Sequence, residues 1–77
     1  MKVIHRKLGR EHAYGQALLG ENTIEIDSKL KKRKHLEIMI HEIMHILNPK
    51  MSETQVLKQS KKMAMVLWKE GYRQCDV

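Results

Sequence analysis

Two stretches of helical periodicity are separated by Asn48-Pro49-Lys50-Met51-Ser52, a stop followed at once by a start. Proline lacks an N–H and its ring keeps the preceding residue out of the α region, so a helix running toward Pro49 ends at Asn48. Ser52, with Gln55 three residues on, has the spacing of a capping box and opens a new helix. Helices are therefore expected over about residues 33–48 and 53–70, with Gly71 placed to close the second. A connection this short folds them into an antiparallel αα-hairpin.

Leu36, Ile40, Ile43 and Leu47 recur at helical spacing and form one apolar stripe. His41, His45 and Ile38 fall on nearly the opposite side. Such a helix is expected to be buried on two sides, one of them against a sheet. The second helix is expected to turn Leu57, Ser60, Ala64 and Leu67 or Trp68 inward, joined by Val56 and Met63.

The sheet has to come from the first third of the chain. Residues 13–19 and Thr23-Ile24-Glu25-Ile26-Asp27 flank the turn cluster Gly20-Glu21-Asn22 and read as a hairpin, with Ile24 and Ile26 on one face. Gly15 inside the first arm signals a bulge or a close backbone approach. Residues 2–8 alternate imperfectly and fit a strand or a short helix. Lys29, Lys31, Lys32, Arg33 and Lys34 oppose the dipole of the first helix, so residues 28–32 are expected as loop or a frayed turn. The fold class that follows is α+β: a small antiparallel β-hairpin or three-stranded meander packed on the αα-hairpin.

Seventy-seven residues suffice for one domain, spanning residues 1–77. Without phenylalanine the core rests on Ile, Leu, Val and six Met. So small a core often needs a staple, such as a metal or a partner subunit. A single cysteine, Cys75, excludes an internal disulfide, and no apolar run approaches a membrane span. With a polar N-terminus unlike a signal peptide, the expectation is a cytoplasmic protein without membrane contact. The net charge of +6 suits a solvated surface, and the basic run 29–34 also suits an acidic partner or nucleic acid. No aromatic residue is interleaved with those lysines as a stacking platform would require.

The chemistry concentrates in His41-Glu42-Ile43-Met44-His45. Residues four apart on a helix share a face, so both imidazoles can reach one metal ion while Glu42 stands beside it. A catalytic zinc site commonly has a third protein ligand and an open position. No histidine follows His45, which leaves Glu53, Glu70 and Asp76 as downstream acids. Glu53 shares a helical stripe with Val56, Leu57, Ser60 and Ala64, and the fold-back at Pro49 brings it level with His45. Glu70 belongs at the far end of the hairpin. The metal set is thus His41, His45 and Glu53, with Glu42 as general base.

With these residues in place the chain resembles the minimal zincin metallopeptidases, closest to short phage-type and ImmA/IrrE-like domains, with some likeness to SprT-like ones. The shared elements are TIEID, LEIMIHEIMHIL, MSETQV and LWKEGYR. The resemblance implies a Zn2+ cofactor, hydrolysis of peptide bonds in a specific protein or peptide substrate, and an extended substrate beside an edge strand, residues 23–27 or 14–19. It departs from SprT-like domains in lacking a later histidine, and its spacing from HExxH to glutamate is shorter than in large gluzincins. Tyr14, Tyr72, His5, His12 and His35 are candidates for stabilising the transition state, the tyrosines otherwise serving as core edge. Two other readings remain. One is a binding module stapled by zinc, with His35 or His12 closing the site; the other is a basic nucleic-acid-binding protein with incidental histidines.

Overall fold

A computed structural model describes residues 1–9 and 13–75. Its elements are strands β1 (Lys2–Arg6), β2 (Gly15–Leu18) and β3 (Thr23–Asp27), then helices α1 (Lys32–Leu47) and α2 (Glu53–Lys69). A 3-10 turn, Leu19–Glu21, joins β2 to β3, with Asn22 in the left-handed region. β3 is the central strand and all five of its residues are buried.

The strand order is β1-β3-β2, with β2 antiparallel and β1 parallel to β3. The hairpin of β2 and β3 matches the sequence reading. The three-stranded meander does not, because β1 occupies the far edge of β3 rather than pairing with β2. The reason lies at one end of the sheet. Ser28 N–H donates to the Arg6 carbonyl at 2.9 Å, and Asp27 N–H donates to the Tyr14 carbonyl at 2.8 Å. β1 thus ends and β2 begins at the same end of the sheet, on either side of β3. That arrangement inserts β3 between two mutually antiparallel neighbours, so no helix needs to cross a face of the sheet, as parallel pairs usually require. Residues 2–6, open between strand and helix in sequence, are strand.

One sheet face carries Ile24 and Ile26, fully buried, against α1. The other carries a polar clasp. Arg6 on β1 donates from Nε to Glu25 Oε2 at 2.7 Å and from a terminal nitrogen to Oε1 at 3.0 Å, and Gln16 on β2 donates to Oε1 as well. A bidentate arginine–carboxylate pair is among the stronger side-chain interactions, and here it links all three strands. It holds the Glu25 carboxyl below the usual carboxylate range, Arg6 contributing most and Gln16 next, against the opposing effect of burial.

Residues 28–31 precede the helix as expected, and Lys32 opens α1 with φ of 55°. The capping box at the start of α2 is present in both directions: Ser52 Oγ accepts from Gln55 N–H, and Ser52 N–H donates to Gln55 Oε1. At the other end Gly71, with φ of 91°, lets Gly71 and Tyr72 N–H donate to the carbonyls of Trp68 and Leu67, the Schellman arrangement.

The packing of the helices departs from the apolar pattern. Leu47 is 67% exposed, and the buried residues of α1 are His35, His41, Glu42 and Met44. On α2, Val56, Ser60 and Ala64 are buried while Leu57 and Met63 are exposed. Small side chains at positions 60 and 64 let the helices approach, and the site residues rather than the leucine stripe fill the interior. No helix among the described residues is long and apolar enough to cross a membrane.

Candidate metal centre

His41 and His45 stand one turn apart near the end of α1, and Glu53 is the first residue of α2. The capping box fixes the first turn of α2 so that Glu53 reaches back across the hairpin. Its two oxygens divide between the histidines: Oε1 lies 2.8 Å from His41 Nε2 and Oε2 lies 2.7 Å from His45 Nε2. The two Nε2 atoms are 3.2 Å apart. Zinc–nitrogen bonds of 2.0–2.1 Å place tetrahedral neighbours about 3.3 Å apart, so the imidazole spacing fits a common ion. One donor atom from each of the three residues lies within 4.8 Å of the others, the one such group among the described residues. Two neutral imidazoles and a carboxylate suit a borderline divalent cation.

The arrangement is anchored on one side and open on the other. His41 is buried, whereas the Glu53 side chain is 68% exposed. Behind His41 stands Ser60, fully buried, with Oγ 3.4 Å from His41 Nδ1 and 3.1 Å from the Leu57 carbonyl. The Ser60 hydroxyl donates to that carbonyl and so can accept from Nδ1–H, the tautomer that would free the Nε2 lone pair for a metal ion. A partner on the second ring nitrogen is how metal-binding histidines are commonly oriented. Ser60 counted only as packing in sequence; the signal was a serine on an otherwise apolar inward face.

Glu42 is 7% exposed, yet no protein hydrogen bond or ion pair holds its carboxylate among the described residues, and its oxygens are not sealed from solvent. Burial pushes its carboxyl above the usual range; His41 and His45 oppose the shift, and Glu53 adds to it. Gly15 lies directly opposite. A Cβ there would come within 2.8 Å of Ile38 Cγ2 and 3.1 Å of both Glu42 Cγ and the Glu25 carbonyl oxygen. The glycine is thus a close approach, not a bulge, and it sets β2 against the helix at Glu42.

The remaining candidates lie elsewhere. His5 and His35 face each other, Nε2 to Nε2 at 3.0 Å, with ring centroids 5.2 Å apart. The centroids exceed the nitrogen spacing by nearly two ring radii, so the rings meet head-on and share one N–H···N hydrogen bond. His35 therefore does not join the metal group. Tyr14 is exposed beside Lys34, whose Nζ is 5.1 Å from its ring centroid. Tyr72 is exposed past the end of α2, the opposite end from Glu53, so neither tyrosine is core edge. Glu70 caps that same far end. His12 and Asp76 lie outside the described residues.

Compared with protein-family models, curated proteins and solved structures, the chain matches none.

Proposed function

We propose that the chain is a zinc-dependent metallopeptidase of zincin type, with His41, His45 and Glu53 as ligands and Glu42 as general base. The observation that carries this reading is the convergence of the three donors beside a carboxylate that no hydrogen bond or ion pair engages among the described residues. A purely structural site would close its coordination with a fourth protein ligand; His35, the described candidate for that role, is held by His5.

Bound there, Zn2+ supplies a Lewis acid that polarises the scissile carbonyl and acidifies water. Glu42 takes the proton of the attacking water and delivers it to the leaving amine. Ser60 holds the His41 ring in one tautomer and orientation throughout. Gly15 keeps β2 close without displacing Glu42. β2 is an edge strand whereas β3 is paired on both sides, so an extended substrate pairs with residues 15–18 rather than 23–27.

The test is metal content together with hydrolysis of a disordered protein and of a peptide library. Wild type purified without chelator should carry one zinc, and Glu53→Ala and His45→Ala should lose it. Glu42→Gln should keep zinc and lose hydrolysis. Wild type without stoichiometric zinc sinks the metal reading; equal cleavage by Glu42→Gln sinks the role of the base.

A further inference from the structure

The basic run at the start of α1 lacks aromatic neighbours in sequence, but the fold supplies them. Because the hairpin is antiparallel, the end of α2 returns to the start of α1 and brings Trp68, Tyr72 and Arg73 beside Lys31 and Lys32. A cleft of ≈ 300 Å³ there is lined by Lys31, Lys32, Trp68, Arg73 and Gln74. A second lobe of ≈ 280 Å³ shares Lys32, Trp68 and Arg73 and continues over Leu36, Met39 and Tyr72. No acidic side chain lines either lobe among the described residues.

The two lobes differ in chemistry. The first is cationic, and neither Lys31 nor Lys32 forms an ion pair among the described residues. The second is mostly apolar. Between them Arg73 is fixed: its guanidinium carbon lies 3.4 Å from the centroid of the Trp68 ring, and it donates to the Trp68 and Tyr72 carbonyls at 2.8 and 3.0 Å. A guanidinium plane held this way over an indole is a platform on which a flat ring can stack. Anchoring its terminal nitrogen on the backbone pre-organises that plane.

We propose that this cleft binds a nucleotide, its base in the apolar lobe against Arg73, Tyr72 and Met39 and its phosphate on Lys31 and Lys32. The nucleotide is either free or a unit of single-stranded nucleic acid. Stacking and phosphate contacts together are the means by which single strands are held without sequence preference. The cleft stands about 14 Å along α1 from His41, by helical rise, so binding here does not depend on the metal centre.

Trp68 is the only tryptophan and lines both lobes, so its fluorescence reports occupancy directly. Titrate the metal-replete chain at low salt with an eight-nucleotide oligothymidylate, with adenosine monophosphate and with inorganic phosphate. The oligonucleotide should quench Trp68, with log affinity falling against log salt at a slope of about −1.4 for two phosphate contacts on a single strand. Quenching by the monophosphate with comparable affinity identifies a free-nucleotide site, and quenching by the oligonucleotide alone identifies a single-strand site; either supports the proposal. Lys31→Gln with Lys32→Gln should weaken binding at least fivefold. Lys58→Gln with Lys61→Gln, which removes the same charge from exposed positions on α2, should leave it unchanged. Arg73 also caps α2, so the lysine pair, whose side chains form no hydrogen bond or ion pair among the described residues, keeps the test independent of folding. No quenching, equal losses in both double variants, equal competition by polyglutamate, or inorganic phosphate binding as well as the monophosphate overturns the proposal.

Discussion

Ser60 on α2 stands 3.4 Å from Nδ1 of His41 on α1, so the second helix reaches this imidazole from behind through Ser60 as well as from in front through Glu53. Removing its hydroxyl leaves the His41 ring free to change tautomer without altering a donor atom. Ser60→Ala should therefore still bind zinc, about 10–100-fold more weakly. Competition with a chromogenic chelator measures this directly, and unchanged affinity would show that Ser60 only packs.

Gly15→Ala addresses the contact between β2 and α1. The new methyl meets Ile38, Glu42 and a backbone carbonyl that cannot yield cheaply. A loss of about 1–3 kcal/mol in denaturant unfolding is expected. Zinc content should be retained while turnover falls, since Glu42 shifts and the ligands do not. An unchanged midpoint would mean that β2 is free to move away from the helix.

Ser52→Ala removes the capping box at the turn that carries Glu53. Stability should fall by about 1 kcal/mol. Because Glu53 is the next residue, zinc affinity should drop in parallel, whereas a cap that only stabilises the helix would leave affinity intact. The two readouts on one variant separate these roles.

With zinc held as proposed by His41, His45 and Glu53, metal removal should destabilise the whole chain, since such an ion would tie α1 to α2. With free zinc at about a thousand times Kd, linkage gives about 4 kcal/mol. Thermal unfolding with and without chelator tests this, and coincident curves would contradict it.

Acidification should act in two windows. Burial first, then His5 and Lys31, push the His35 imidazole below its ordinary value. The unfolded chain then binds the extra proton, so stability falls as pH drops below about 6.5. For Glu25, lowered by Arg6 and Gln16, stability present above the unfolded value of about 4.3 is lost as pH falls through the folded one. Urea midpoints of chelator-treated protein between pH 8 and pH 2 should show both limbs. Glu42, raised by burial, works in the opposite direction as pH falls, so the series is run in Glu42→Gln. There His35→Asn should flatten the upper limb and Glu25→Gln the lower, and a midpoint rising from pH 7 to pH 5 would reverse the assigned sign for His35.

What could be read in the sequence was whatever local rules dictate. Pro49, Ser52, Gln55 and Gly71 mark helix ends through their own backbone chemistry, and the αα-hairpin they bound has the expected elements. The grouping of His41, His45 and Glu53 follows from helical spacing plus a short connection. The pairing of β1 with β3 left no local signature, because it joins residues far apart in the chain. The leucine stripe misled for another reason: periodicity scores apolarity, and α1 buries two histidines and a glutamate in preference to Leu47. The approach of Trp68 to Lys32 depends on helix length and direction, which only the folded hairpin sets.

The parallel edge strand also dictates an order of events. Each β1 residue pairs with a β3 residue a fixed, long interval later, from Lys2 with Thr23 to Arg6 with Asp27. The β2–β3 hairpin and the helical pair close far shorter loops, so they form first, and β1 waits for a completed groove beside β3. Of these three strands the earliest in sequence is thus expected to be the last housed. Hydrogen exchange should find the β1 amides opening at lower free energy than those of β3, and equal protection would place both strands in one cooperative unit.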